Sequence, residues 1–252
     1  MNIFGHQISS KDFIPPIWHR LFRLAGVADA YPPFDALPEN IQAKWILDVG
    51  ANAGHVALAG LKTYPDSRVI CFEPVSATFD MLRQNLAAYG DRVILFNQAL
   101  SDTNGSSEIN VTSFHGANSL EPQSALHKNF NPHVREVGTE KIALVRLDDV
   151  AAEFPTGHID ILKIDVEGHE LSVLKGGARF IAAQVDAIII EVSLMRDNST
   201  DHQAVFEIFA LLNSWGFRLI NIFDLHHVPD ADLMLVQMDC VFRKNKSNGH
   251  EV

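Results

Sequence analysis

Trp45-Ile46-Leu47-Asp48-Val49-Gly50-Ala51-Asn52-Ala53-Gly54 is an apolar run that ends in a turn with glycines at 50 and 54. Trp45 to Val49 reads as a buried strand, and His55 to Thr63 as the helix after the turn. Glycine lets the backbone turn tightly and lets a ligand approach it. The helix N-terminus beyond the turn favours a negative group. Such a strand–turn–helix opens a parallel α/β sheet, and these sheets bind ligands outside the carboxyl ends of their strands.

Strands and helices alternate outward from this unit. Arg68 to Glu73 is strand-like, Ser76 to Tyr89 is a helix ended by Gly90, and Arg92 to Asn97 is a third strand. Ile159 to Asp165 is a strand. Glu170 to Ala183 is a helix with Gly176-Gly177 breaking its middle, and Asp186 to Val192 is the next strand. Asp201 to Ser214 is a helix closing at Gly216. Phe217 to Phe223 and Met238 to Phe242 have no helix between them, which predicts an antiparallel pair. From Ser101 to Lys141 the pattern lapses into polar sequence rich in Ser, Asn, Gly and His. There Glu108 to Val111 and Ile142 to Val145 suit a hairpin around a long loop, either a lid over substrate or cofactor or a merely mobile segment.

The chain thus divides into an N-terminal cap (1–43), a main domain (44–243) carrying the insert (101–141), and a frayed polar tail (244–252). In the cap, Ile17 to Leu24 has apolar residues at 17, 18, 21, 22 and 24 after Pro15-Pro16, the pattern of a short amphipathic helix.

Composition bounds the function. Apolar residues make up 47% of the 252 and charged residues 20%, enough for a full core. Cys71 and Cys240 both lie in apolar runs, so buried free thiols are expected. With 20 basic and 31 acidic residues the net charge is −11, and no basic stripe appears, so no nucleic-acid partner is expected. The absence of a leader pattern and of any run near 18 apolar residues predicts no membrane segment, and a cytoplasmic location by default. A homo-oligomer is compatible with the composition.

Glu73 follows the second strand, 23 residues beyond Gly50 and just before Pro74. An acidic residue there accepts hydrogen bonds from the ribose hydroxyls of an adenosine. This suits either S-adenosylmethionine or NAD. The dinucleotide fingerprint, started at Gly50, needs glycines at 52 and 55, where this chain has Asn52 and His55. The glycine that admits a pyrophosphate is missing, which favours S-adenosylmethionine over an NAD(P)-dependent oxidoreductase. The third reading, a non-catalytic cofactor-binding module, is opposed by the intact acidic residues 165, 167 and 191.

Leu47 to Gly54, Phe72-Glu73-Pro74, Asn97 to Asp102, Arg146-Leu147-Asp148-Asp149, Leu162 to Glu170 and Glu191 after Ile188-Ile189-Ile190 together resemble the FkbM family of methyltransferases. The resemblance runs from about Lys44 to about Phe242. It implies a class I methyltransferase (Rossmann-like) fold, a doubly wound seven-stranded sheet with the last strand antiparallel. It also implies S-adenosylmethionine as methyl donor and a hydroxyl acceptor on a sugar, glycan or small secondary metabolite. By position, Asp48, Gly50, Asn52 and Gly54 would hold the methionine part and Glu73 the ribose. Gln98, Ala99 and Asp102 would border the adenine, and Asn118-Ser119 in the insert would touch the cofactor.

A hydroxyl acceptor must lose its proton during in-line transfer, which calls for a base or a metal. Asp165, Glu167, His169 and Glu191 lie at the fourth and fifth strand ends, beside the expected methyl position. Three carboxylates converging there repel one another unless something positive sits among them. Two readings follow. Either a carboxylate or His169 is the base, or Asp165 and Glu191, with Glu167, bind a hard divalent cation such as Mg²⁺. Against these stand a helix-N-terminal role for Glu167 and Glu170, a capping role for His169, and Lys163 as a buried ion-pair partner. Scattered histidines at 115, 127, 133, 226 and 227 show no zinc-ligand spacing.

Overall fold

The computed structural model describes residues 2–3, 6–7, 33–120, 134–194, 203–227 and 235–245. The amphipathic stretch Ile17 to Leu24, most of the tail and residues 121–133 of the insert lie outside them. A small antiparallel pair, β1 (Asn2–Ile3) and β2 (His6–Gln7), stands at the N-terminus.

The main sheet is built from β3 (Trp45–Val49), β4 (Arg68–Phe72), β5 (Val93–Phe96), β9 (Ile159–Ile164), β10 (Val185–Ser193), β11 (Phe217–His227) and β12 (Leu235–Lys244). The intervening β6 (Ala99–Leu100), β7 (Gly105–Thr112) and β8 (Glu136–Val145) form a separate three-stranded sheet. The seven strands run in the order β11-β12-β10-β9-β3-β4-β5. β5, β4, β3, β9 and β10 are parallel, whereas β12 is antiparallel to both neighbours. This is the doubly wound sheet with its last strand antiparallel that the alternation and the resemblance predict. The chain leaves β3 for β4 and β5 on one side and returns to β9 and β10 on the other. The switch point, where such sheets bind ligands, therefore lies between β3 and β9.

Both faces are covered, which is why the parallel strands read as nearly continuous apolar runs. On one face Leu47, Val49, Ile70, Phe72, Leu162, Ile164, Ile188 and Ile190 pack with Val173, Leu174, Ile181 and Leu212 of the later helices. On the other, Ile46, Val69, Cys71, Ile161 and Ile189 pack with Ala57, Leu61, Leu82 and Leu86 and with Phe34 and Leu37 of the N-terminal segment. Ile46 and Ile161 are fully buried, so truncating either to alanine is expected to cost about 2–5 kcal/mol. This rigid sheet is what fixes the strand ends that carry the site.

Local punctuation follows the glycines. The helix Ser76–Leu86 tightens into a 3₁₀ turn (Ala87–Arg92) in which Gly90 takes φ 53°, so the α-helix stops three residues earlier than Tyr89. The predicted break at Gly176-Gly177 separates two helices, Glu170–Gly176 and Ala178–Gln184. The insert's hairpin is longer than its apolar core suggests: β7 and β8 pair from Gly105↔Leu144 to Thr112↔Glu136. Val75, Ala99, Ile109 and Ile142 form its own small core. Cys71 and Cys240 are buried free thiols, and burial pushes the Cys240 thiol up to about 12. Among the described residues no helix is long and apolar enough to cross a membrane.

Candidate functional site

The loop after β3 is tied to the neighbouring strand end, because the Gly50 and Ala51 amides donate to the Phe72 carbonyl at 3.0 and 2.9 Å. Gly50 and Gly54 have φ 75° and 89°, and Asn52 has φ 51°. Asparagine is one of the few residues that visit this left-handed region cheaply. A Cβ on Gly50 would lie 1.9 Å from the Asp165 carbonyl oxygen, so the glycine loop and the acidic turn touch backbone to backbone. The Asp165 amide in turn donates to the Val49 carbonyl at 3.1 Å.

Glu73 is 6% exposed and reaches back to this loop. Its two carboxylate oxygens accept from the Asn52 and Val75 amides at 3.0 and 2.9 Å. Burial pushes its carboxyl up to about 7 against those hydrogen bonds. Asn97 at the end of β5 holds the turn by donating from Nδ2 to the Glu73 and Pro74 carbonyls, both at 2.9 Å. Each Glu73 oxygen has lone-pair capacity left for a ribose hydroxyl.

Asp48 is fully buried, and neither carboxylate oxygen has a hydrogen-bond partner of normal geometry. Burial pushes it up to about 6, with the Lys163 ammonium pulling the other way. A buried carboxylate beside a glycine loop, with neither oxygen in a short hydrogen bond, fits a cationic group such as the methionine ammonium of S-adenosylmethionine. The residues present therefore fit that cofactor.

Lys163 pairs in register with Asp48 across β9 and β3. Its ammonium is 2.9 Å from Asp165 Oδ2 and 3.9 Å from Asp48 Oδ1. Burial alone would lower its proton affinity, but Asp165, Asp48 and Glu191 raise it above the ordinary lysine value. Lys163 is thus the buried ion-pair partner expected, and a fixed positive charge between the glycine loop and the acidic turn.

The structure brings Asp165, Glu167 and Glu191 together, with one carboxylate oxygen of each within 4.8 Å of the others. Glu167 sits at φ 52°, a strained conformation of order 1–2 kcal/mol for a non-glycine residue. The buried Glu170 holds the turn through Oε1, which accepts from the Gly168 and Val166 amides at 2.8 and 3.2 Å. Burial pushes Glu191 well above the usual carboxylate range, and Asp165, Glu167 and Asp239 add to this. His169 Nε2 lies 3.0 Å from the Ser101 hydroxyl, at the N-terminus of the helix Glu170–Gly176.

The other residues expected at the cofactor lie just beyond β5 and in the insert. Gln98 is half-buried just beyond β5. Ala99 packs with Val75, Ile109 and Ile142 in the small core beside the insert. Asp102 is exposed; its carboxylate accepts from the Ser101 hydroxyl at 3.3 Å and its backbone lies against Gly176. Ser119 donates to the Glu167 carbonyl at 2.7 Å, which places it at the acidic turn. A second group, His158, Asp160 and Asp186, gathers at the opposite ends of β9 and β10. Asp160 there accepts the Lys44 and Trp45 amides at 2.8 Å each and so anchors the start of β3. Asn97 and Asp160 act across a turn and between strands, which no local pattern announces, whereas Glu170 acts at the helix N-terminus as expected for it.

Comparison with known proteins finds methyltransferases. The 2-O-methyltransferase NoeI of Sinorhizobium fredii is 32% identical over 139 residues, covering 52% of this chain and 56% of that protein. The hexuronic acid methyltransferase AglP of Haloferax volcanii is 29% identical over 180 residues, covering 71% of this chain and 67% of that protein. The chain thus spans little more than half of the first relative's length and about two thirds of the second's. The crystal structure of a methyltransferase FkbM from Methylobacillus flagellatus KT superposes with a TM-score of 0.52 at 16% identity, over 88% of this chain and 52% of that one, and shares its fold. The family model described as the methyltransferase FkbM domain matches residues 48–219, from Asp48 through the acidic turn to β11, and on that match the chain belongs to the FkbM family of S-adenosylmethionine-dependent methyltransferases.

Proposed function

We propose that the chain transfers a methyl group from S-adenosylmethionine to a hydroxyl of a sugar, glycan or small secondary metabolite. The observation that carries this reading is the backbone contact between Gly50 and Asp165, which sets the cofactor loop directly against three carboxylates. In that arrangement Asp48 and the glycine loop hold the methionine end and Glu73 the ribose. The cofactor supplies an already activated methyl group, so the chain's task is alignment and deprotonation. Glu191 is the base best suited to take the hydroxyl proton, since its raised proton affinity lies nearest that of an acceptor under deprotonation. NoeI and AglP, named for a 2-O-methyl transfer and for a hexuronic acid, support a sugar hydroxyl as acceptor. Phe114 is 46% exposed and stacked on His115 at 5.6 Å, in the segment that leads to Ser119 at the acidic turn. It offers an aromatic face to a sugar ring.

The 4.8 Å grouping of Asp165, Glu167 and Glu191 also supports a second reading, in which a divalent cation held there acidifies the acceptor hydroxyl. The acidic balance of the chain, −11, disfavours a nucleic-acid acceptor. The test uses methyl-labelled S-adenosylmethionine and a panel of monosaccharides, uronic acids and short glycans. Label should enter at least one hydroxyl, and Glu73→Ala should weaken cofactor binding about a hundredfold through two lost charge-assisted hydrogen bonds. Binding of NAD in place of S-adenosylmethionine would sink the reading.

A further inference from the structure

Ser119 belongs to the insert, 48 residues before Glu167 in sequence, yet its hydroxyl donates to the Glu167 carbonyl at 2.7 Å. The serine is 6% exposed and is itself pinned: its amide donates to the Asn110 carbonyl at 3.2 Å and the Asn110 amide donates back at 2.9 Å. Asn110 lies in β7, in the ladder with β8. Next to it, Asn118 Oδ1 accepts from the Thr112 amide at 2.8 Å, fixing the same crossing. A rigid hairpin therefore delivers one hydroxyl to the backbone of the acidic turn.

That turn needs holding. Glu167 and Gly168 are consecutive left-handed residues, at φ 52° and 103°. A glutamate persists in that region only where its surroundings over-determine it. Glu170 secures the amides on either side, at Val166 and Gly168, and Ser119 secures the carbonyl between them. The peptide plane so fixed decides whether the Glu167 side chain leaves the turn toward Asp165 and Glu191.

We propose that Ser119 is a positioning residue of the acceptor side, latching the insert to the Glu167 turn so that the three carboxylates converge. This departs from the cofactor contact that the family resemblance implies for it. It rests on the reading above that those carboxylates serve the acceptor, but the latch itself is a statement about this chain alone. The acceptor-side geometry then depends on the insert through Ser119, whereas Asp48, Gly50 and Glu73 sit at the ends of β3 and β4.

The test compares the full-length chain with Ser119→Ala and Ser119→Thr, the threonine keeping the hydroxyl. Hydrogen–deuterium exchange in peptides covering Val166 to His169 should be about tenfold faster in the alanine variant and near wild type in the threonine variant, as expected for loss of one buried hydrogen bond. Calorimetric titration with S-adenosylmethionine should give dissociation constants within about twofold of one another for all three. With an acceptor found by the panel above, the alanine variant should lose about tenfold in kcat at unchanged KM for the cofactor, and threonine should restore it. If alanine prevents folding, Ser119→Cys, a weak donor of similar size, takes its place. Unaltered exchange in the turn overturns the latch, and a tenfold loss of cofactor affinity makes Ser119 a cofactor contact instead. Failure of the panel to find an acceptor counts against the hydroxyl reading and leaves the exchange result to decide this one.

Discussion

Asp48→Asn should make the cofactor-free protein more stable and its cofactor binding weaker. Asp48 is fully buried; the Lys163 ammonium at 3.9 Å and the Ala57 amide favour its charged form, but burial outweighs them, and its carboxyl ionises at about 6 in the folded chain against 3.8 unfolded. At about 1.36 kcal/mol for each pH unit between the two values, the buried charge costs about 3 kcal/mol when fully ionised. The sign follows from the folded state binding the proton more tightly. Stability from this group is fully present below pH 3.8 and is lost as pH rises through about 6. Asparagine removes the loss, so the variant's advantage should be roughly half-developed at pH 5 and reach about 3 kcal/mol at pH 8. Lys163 keeps its 2.9 Å contact with Asp165, so the substitution does not strand a buried ammonium. In a domain of this size the gain corresponds to a rise in Tm of roughly 6–12 °C at pH 8. Thermal unfolding without cofactor at pH 5 and pH 8 measures it. Calorimetry should show S-adenosylmethionine affinity falling about tenfold or more, as a charge-assisted contact is lost. A variant less stable than wild type at pH 8, or one equally stabilised at both pH values, would refute the argument that Asp48 is held at a cost for the cofactor's sake.

Gly50→Ala should abolish cofactor binding and lower stability by at least about 3 kcal/mol, because its Cβ would sit 1.9 Å from the Asp165 carbonyl oxygen at φ 75°; a normal denaturant midpoint would contradict the close packing of the two loops. Glu191→Gln should lower turnover by about two to four orders of magnitude. Since the base works only when ionised and burial raises Glu191, the wild-type rate should climb with pH through that raised value, and the glutamine variant should lose the climb. Treatment with a chelator separates the two acceptor-side readings. Loss of turnover restored by Mg²⁺ would establish a cation at Asp165, Glu167 and Glu191, and unchanged turnover would leave Glu191 as base.

What the sequence reveals of this site divides along a physical line. The strand at Trp45 to Val49, the helix at His55 and the antiparallel end of the sheet are encoded in local period and punctuation, and all appear where the pattern places them. Glu73 is legible for the same reason, as a strand-end acid a fixed distance from a glycine turn. The register that sets Asp48 opposite Lys163 joins residues far apart in the chain, and no local pattern states it. Nor does any pattern announce that Ser119 meets the Glu167 carbonyl, since that depends on how the hairpin folds over the sheet. The two kinds of information serve different ends of the reaction. On the proposed reading the cofactor end rests on the loops after the neighbouring strands β3 and β4, whose glycine turn and strand-end acid are local patterns. The acceptor end is assembled across the switch point and from the insert, so its geometry is set by long-range pairing. Variation in the insert is therefore expected to alter the acceptor end more than the donor end, which meets the insert where Val75 and Ser76 pack against it. On this argument, exchanging the segment from Ser101 to Lys141 with that of another family member should change which hydroxyl is methylated and leave S-adenosylmethionine affinity within a few fold.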